Sequence, residues 1–130
     1  KKIKKIVKKK EFIFHYYEKK LKLLPQIDFL NYVDEIKKPV FWFTTIKCKN
    51  SRKLSKYLET KNIQTRRLFY PLNQQPCYKY NKEILKKKCD FKVSKSLYND
   101  TLSLPSSFNL SIKELEYICK CIKSFYENRY

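Results

Sequence analysis

Residues 39–46 of this sequence read PVFWFTTI. This stretch consists largely of β-branched and aromatic residues, whose side chains favour extended backbone. Its apolar character is nearly continuous, as is typical of a strand that is buried in a sheet. We therefore expect a buried β-strand here, with the rest of the chain arranged around it.

The residues after this strand predict a helix. Asn50 or Ser51 can cap its beginning. Asn62 stands where a helix ends in a left-handed residue, a position at which Gly is usual and Asn is the next best choice. Between these limits the inward face carries three apolar residues, Leu54, Tyr57 and Leu58.

A second strand is predicted directly after this helix. Residues 63–69 begin at Ile63 and end at Phe69, and a loop over residues 70–80 follows them, with Pro71 and Pro76 inside it. Further along, the pattern favours a short helix near residues 93–99. Leu102 and Leu104 then indicate a short strand before Pro105.

Long amphipathic helices are predicted at both ends of the chain. Over residues 2–24, apolar side chains recur at spacings of three, four and seven until Pro25 ends the helix. Near the other end, Ser111 and Glu114 have the spacing of a capping box, and a helix over about 112–127 should follow. Its inward stripe comprises Leu115, Ile118, Cys119, Ile122 and Phe125, with Tyr126 beside it.

This order of elements predicts an α+β fold for residues 1–130 as one domain, in which helices cover a small sheet of about three strands. The length of 130 residues, with 42% hydrophobic and 16% aromatic residues, suffices for one buried core. There is no Gly in the chain, so neither of the glycine-rich phosphate-binding motifs is present.

The charge is strongly unbalanced, with 31 Lys and Arg against 12 Asp and Glu and a formal net charge of +19. Such an excess suits nucleic acid, an anionic lipid surface or a phosphate-bearing substrate. It is equally expected of a genome poor in G and C, which enriches Lys, Asn, Ile, Tyr and Phe. Composition alone leaves both explanations open.

Five cysteines, an odd number with no Cys-x-x-Cys pair, predict free and mostly buried thiols in a reducing compartment, hence a cytoplasmic protein. His15 is the only histidine, so a catalytic triad or a multi-histidine metal site is nearly excluded. No apolar run approaches the roughly 18 residues of a membrane span.

Three stretches, taken together and in order, carry a resemblance to a known family. They are VFWFTTI at 40–46, KNIQTRRLFYPLNQQPCY at 61–78, and LSLPSS at 102–107, with NLS at 109–111 and the last helix after it. This set resembles the DegT/DnrJ/EryC1/StrS sugar aminotransferases, in particular the perosamine synthase-like ones. The likeness covers nearly the whole chain, and the middle stretch is its most specific part.

The resemblance implies a carboxy-terminal small domain of the aspartate-aminotransferase-like fold. Complete members carry pyridoxal phosphate on a lysine of a preceding large domain, work as homodimers, and transfer an amino group from a donor to a keto sugar linked to a nucleotide. The motifs for the cofactor lie before this region. We therefore expect no catalytic and no cofactor-binding residue here, no cofactor for this chain alone, and no activity without the large domain.

The segment from Arg67 to Tyr78 matches the part of the family that reaches the sugar substrate. By that match, Tyr70, Asn73 and Gln75 are candidate substrate-binding residues, and Arg67 is a candidate anion contact. An arginine can hold a phosphate with two hydrogen bonds. Asn73 stands where family members often carry His, and Asn62 where they usually carry Gly.

Two other functions remain open at the level of sequence. A basic and aromatic chain could bind single-stranded nucleic acid through phosphate contacts and base stacking. The chain could also be a non-catalytic remnant that docks on a full-length aminotransferase.

Overall fold

The computed structural model describes residues 2–30, 39–78 and 91–127. Within these ranges, four α-helices surround a three-stranded antiparallel sheet, which confirms the predicted α+β class. The helices are α1 (Lys2–Leu21), α2 (Ser51–Thr60), α3 (Lys92–Asp100) and α4 (Ile112–Glu127). The strands are β1 (Ile27–Phe29), β2 (Thr44–Cys48) and β3 (Thr101–Leu104).

The sheet has the order β1-β2-β3, with β2 in the centre. Ile46 is its middle residue, opposite Phe29 on one side and Leu102 on the other. Alternate residues of β2 point to one face, where Thr44, Ile46 and Cys48 are all buried. The predicted number of strands is therefore right, although the strands are partly different ones.

The core lies between this face of the sheet and helices α1, α2 and α4. Helix α4 contributes the apolar stripe that its periodicity predicts, together with Cys121. Helix α1 contributes only its second half, because the residues before Val7 lie largely in solvent. Its buried residues are Ile13, Phe14, Tyr17 and Leu21.

The first predicted strand begins later than its sequence indicates. The backbone N–H of Trp42 bonds the carbonyl of Val40, 2.5 Å away and only two residues earlier, so the chain turns before the sheet begins. Phe41 consequently stacks on Phe14 of α1, with ring centroids 4.1 Å apart. The prediction of a buried strand over 39–46 is therefore wrong before Thr44.

The second predicted strand, residues 63–69, is also wrong as a regular element. Only Arg66 pairs with the sheet, through two backbone hydrogen bonds with Ser103 of 3.0 and 2.7 Å. Phe69 has left the sheet and is 71% exposed. The third strand of the sheet is instead β1, three residues around the polar Asp28, which the apolar pattern did not indicate.

Helix α2 ends as predicted and begins differently. Asn62 adopts φ 59°, and the hydrogen bonds Asn62 N–H to Glu59 and Ile63 N–H to Leu58 complete the left-handed helix stop. At the other end, Asn50 is left-handed and its side chain makes no capping bond. Ser51 donates to the carbonyl of Asn99 instead, at 2.6 Å.

The remaining helices agree closely with the sequence. Helix α3 spans one residue more at each end than predicted, and α4 matches its predicted range. The backbone and hydroxyl of Ser111 donate to Glu114 at 2.8 and 2.7 Å, which confirms the capping box. Helix α1 ends at Leu21, three residues before the predicted end. Across residues 2–30, 39–78 and 91–127, no helix combines the length and apolarity that a membrane crossing requires.

Candidate functional site

Arg67 is held in place by contacts with helix α3. The guanidinium lies over the ring of Tyr98, with Cζ 3.9 Å from the ring centroid. Its Nη1 donates to the Tyr98 hydroxyl at 3.1 Å, and its Nη2 donates to the Tyr98 carbonyl at 3.2 Å. Such a stack restrains the orientation of the planar guanidinium group.

Tyr70 joins the same aromatic centre. Its ring meets Tyr98 edge-on, with centroids 5.2 Å apart and planes at 88°. Tyr98 thus connects two of the sequence-predicted site residues, Arg67 and Tyr70, although no local sequence pattern marks Tyr98 itself. An aromatic edge-to-face contact of this kind is worth about 0.5–1.5 kcal/mol beyond the area buried.

Asn73 and Gln75 lie further along, on a short 3-10 turn over Leu72–Gln74 and directly after it. The backbone N–H of Gln75 bonds the carbonyl of Leu72 at 3.1 Å, which keeps the turn closed. Both side chains are half-buried, and neither takes part in the Tyr98 contacts. The structure therefore brings together the first two predicted site residues and places the other two on a neighbouring turn.

A second arginine approaches from helix α2. Arg52 Nη2 donates to Asn99 Oδ1 at 3.2 Å, and Arg67 Nη2 approaches the same oxygen at 3.4 Å. Two guanidinium groups thus converge on one neutral amide. Local sequence could not indicate this pair, because the two residues come from different elements.

Beside this site lies an exposed aromatic surface formed by Trp42, Phe43 and Phe69. Trp42 stacks on Phe43 with centroids 4.5 Å apart, and Phe69 meets Phe43 at 6.3 Å. Trp42 is 63% and Phe69 71% exposed. Contiguous apolar side chains in solvent are typical of surfaces that bind another structure or a ligand.

A cleft of about 690 Å³ opens between α1, the start of α4, residues 61–66 and residues 103–107. We call it the lysine cleft, because Lys10 lies in its wall. Lys10 Nζ donates to the carbonyl of Trp42 at 3.1 Å and to that of Ser106. Partial burial lowers the pKa of this amine from its ordinary value.

The lysine cleft does not fit pyridoxal phosphate, the cofactor that the resemblance implies for complete enzymes. A cofactor lysine needs a free amine and an acid facing the pyridine nitrogen. Lys10 is committed to two carbonyl oxygens, and Glu114, the carboxylate in this wall, is committed to Ser111.

The thiols are arranged as the sequence predicts wherever they are described. Cys48, Cys119 and Cys121 are buried, Cys77 is exposed, and none is in a disulfide. Cys89 lies outside the described residues. In the described part of the chain, no three His, Cys, Asp or Glu side chains come close enough to hold a metal ion.

Comparison with known proteins agrees with this fold. A sequence profile of the DegT/DnrJ/EryC1/StrS aminotransferase family matches residues 1–123. The chain is 29% identical to the GDP-perosamine synthase of Escherichia coli O157:H7 over 131 aligned positions, covering 95% of this chain and 32% of that protein. It is 33% identical to the GDP-perosamine synthase of Vibrio cholerae over 73 residues, which cover 56% of this chain and 19% of that protein.

Solved structures show the same fold at low sequence identity. The aminotransferase TlmJ from Streptoalloteichus hindustanus superposes with a TM-score of 0.81 at 14% identity, over 94% of this chain and 32% of that one. A DegT/DnrJ/EryC1/StrS aminotransferase from Brucella abortus gives a TM-score of 0.76 at 22% identity, over 92% of this chain and 31% of that one. The chain thus spans less than a third of the length of each of these four relatives. By its sequence, this chain belongs to the DegT/DnrJ/EryC1/StrS aminotransferase family.

Proposed function

We propose that this chain is the carboxy-terminal small domain of a sugar aminotransferase and that it supplies the substrate side of an active site held mainly by a large domain. The complete enzyme would use pyridoxal phosphate to transfer an amino group to a keto sugar linked to a nucleotide. The chain by itself would be inactive. The observation that carries this proposal is the family match over residues 1–123, in a chain that spans only 32% of its E. coli relative.

The exposed aromatic surface supports the role of a part within a larger protein. Trp42 and Phe69 present most of their area to solvent while their neighbour Phe43 connects them. Burying apolar area yields roughly 25 cal/mol per Å², so two such rings would stabilise a domain contact appreciably. We assign the large domain of the aminotransferase as the occupant of this surface.

Arg67, Tyr70, Asn73 and Gln75 are the residues proposed to face the nucleotide-linked sugar. The Tyr98 contacts support this for Arg67 and Tyr70, since they hold both side chains in fixed orientations at one edge of the domain. The half-buried Asn73 and Gln75 would offer amide hydrogen bonds to sugar hydroxyl groups.

A chimeric enzyme tests directly whether this chain can act as the small domain of a sugar aminotransferase. The corresponding carboxy-terminal third of the E. coli GDP-perosamine synthase is replaced by this chain, and formation of GDP-perosamine is measured at saturating pyridoxal phosphate. We expect measurable turnover. A chimera that is folded, dimeric and loaded with cofactor but forms no GDP-perosamine would contradict the proposal.

Variants of the chimera test the role of the exposed aromatic surface. The double variant Trp42→Ser and Phe69→Ser should reduce activity at least tenfold and lower the melting temperature of the chimera. Leu23→Ser is the matched control, because Leu23 is 87% exposed and lies outside the aromatic surface. Equal losses in both variants would show that the aromatic surface has no special role.

The expected lack of a cofactor lysine has its own test. Pyridoxal phosphate is added to the isolated 130-residue chain, and the Schiff-base absorption band is followed. We expect only weak, non-stoichiometric reaction spread over many lysines. A one-to-one band that disappears in Lys10→Arg would assign the cofactor to the lysine cleft and overturn the proposed division of labour.

A further inference from the structure

The smaller cleft beside Arg67 has the properties of a binding site for a phosphate-bearing ligand. It has a volume of about 300 Å³ and lies between helix α2, residue 67 and the start of β3. Its cationic side chains are Arg52, Lys56 and Arg67, and Ser51 and Ser55 add hydroxyl groups. We call it the arginine cleft.

The side chains of Arg52 and Arg67 lie close together although both carry a positive charge. Both Nη2 atoms lie within 3.4 Å of Asn99 Oδ1. Arginine stays charged at any physiological pH, and a neutral amide oxygen cannot neutralise two guanidinium groups. An anion between them would convert this repulsion into attraction.

No carboxylate fills that role within the described residues. Neither Asp nor Glu is among the residues that line the arginine cleft. Asp100 directly follows Asn99 in the sequence, but it accepts a hydrogen bond from Ser96 at 2.7 Å. It lines a different cleft, together with Cys48 and Lys49.

The geometry leaves donors free for a ligand. Arg67 uses Nη1 and Nη2 on Tyr98 and Asn99, and Arg52 uses one nitrogen on Asn99, so other N–H groups of both side chains are uncommitted among the described contacts. Guanidinium groups hold phosphate oxygens with paired hydrogen bonds. Lys56 adds a mobile point charge on the same side of α2.

We propose that the arginine cleft binds a diphosphate group through Arg52, Lys56 and Arg67. The choice of the diphosphate of a nucleotide-linked sugar as its natural source rests on the proposed function. The site itself rests on the paired arginines, the volume of the cleft and the lack of a neutralising acid among its described lining residues.

Inorganic diphosphate is the direct probe. It is titrated into the ¹⁵N-labelled 130-residue chain in a buffer without phosphate, and amide shifts are followed by NMR. We expect a one-site saturation curve, with the largest shifts in residues 51–56, 67 and 99–102. Guanosine diphosphate should shift the same residues with at least the same affinity. Shifts spread evenly over the lysines, or guanosine diphosphate shifting other residues, would overturn the proposal.

Matched variants separate the site from the general positive charge. Arg52→Gln and Lys56→Gln should each weaken diphosphate binding about tenfold. The controls, Lys53→Gln on the same helix and Arg66→Gln beside Arg67, remove the same charge outside the cleft and should weaken binding less than threefold. Equal effects of all four would mean diffuse attraction only, which would refute the site.

A nucleic-acid ligand is the remaining competitor. A single-stranded oligonucleotide that displaces diphosphate, binds much more tightly and loses affinity steeply with salt would replace the small-molecule assignment. This test is independent of the chimera experiment. Failure of the chimera would leave diphosphate binding intact, and failure of diphosphate binding would leave domain docking intact.

Discussion

The hydroxyl of Tyr17 donates a hydrogen bond of 2.9 Å to the carbonyl of Pro105, 88 residues further along the chain. Tyr17 is fully buried in α1, and Pro105 directly follows β3. This bond ties the first helix to the turn that leads towards the last one. Burial also raises the pKa of the Tyr17 hydroxyl well above its usual range, so it remains a donor even in alkaline solution.

Tyr17→Phe is expected to lower the free energy of unfolding by about 1–2 kcal/mol. The substitution keeps the ring in the core but leaves the Pro105 carbonyl without this partner. Equilibrium unfolding in urea measures the difference. Tyr16→Phe is the control, because Tyr16 is only partly buried, and its change should stay below about 0.5 kcal/mol. Equal losses would mean that the Tyr17 bond contributes nothing specific.

The capping box at the start of α4 predicts a dependence on acid. Hydrogen bonds from the Ser111 side chain and backbone hold the pKa of the Glu114 carboxyl below its ordinary value. These hydrogen bonds therefore stabilise the fold above the pKa that the Glu114 carboxyl has in the unfolded chain. The stabilisation is lost as pH falls through the lower pKa of this carboxyl in the folded chain. Ser111→Ala should cost about 1 kcal/mol at pH 7 and flatten the fall in stability below pH 5. An unchanged acid profile in this variant would contradict the explanation.

The stop of helix α2 predicts a specific order of substitutions at residue 62. Asn62 holds φ 59°, which Gly adopts freely and which costs an L-residue with a Cβ about 1–2 kcal/mol. Asn62→Ala should therefore lower the free energy of unfolding by about 1 kcal/mol, whereas Asn62→Gly should change it by less than about 0.5 kcal/mol. Glu59→Ala, at an exposed helical position, is the control. A variant Asn62→Ala as stable as Asn62→Gly would refute this.

The buried thiols predict a loss of stability in alkali. Burial raises the pKa of Cys48 to about 11 and that of Cys119 to about 12, against an ordinary value of 9.0. As pH rises, this thiol ionises first in the unfolded chain. The contribution of Cys48 to the free energy of unfolding is therefore complete below pH 9 and disappears as pH rises through 11. Cys48→Ala should reduce the loss between pH 9 and 11 by about 1–2 kcal/mol, as measured by urea unfolding. Cys77→Ala, which changes an exposed thiol, should leave the slope unaltered.

Most elements of the fold could be predicted from local sequence patterns. The capping box at Ser111 and Glu114, and the left-handed Asn62, depend on neighbours within a few residues, and both are confirmed. The strand boundaries depend on distant partners. Phe41 lies outside the sheet and stacks on Phe14 of α1, and within residues 63–69 only Arg66 pairs with Ser103.

The candidate site was predictable in part for the same reason. Arg67 and Tyr70 follow from the family resemblance, which is carried by adjacent residues. Tyr98, Asn99 and Arg52 complete their surroundings from α3 and α2. No local pattern marks these three, and their proximity becomes apparent only when the two helices are placed side by side.

The single β-bridge between Arg66 and Ser103 fixes the register of the residues that follow it. Extended backbone sends successive residues to opposite sides, so Arg66 borders the lysine cleft and Arg67 the arginine cleft. Three residues, 63–65, separate the helix stop at Asn62 from this bridge. Deleting one of them would shift the alternation by one residue and exchange the clefts that the two guanidinium groups border, although neither arginine itself would be changed.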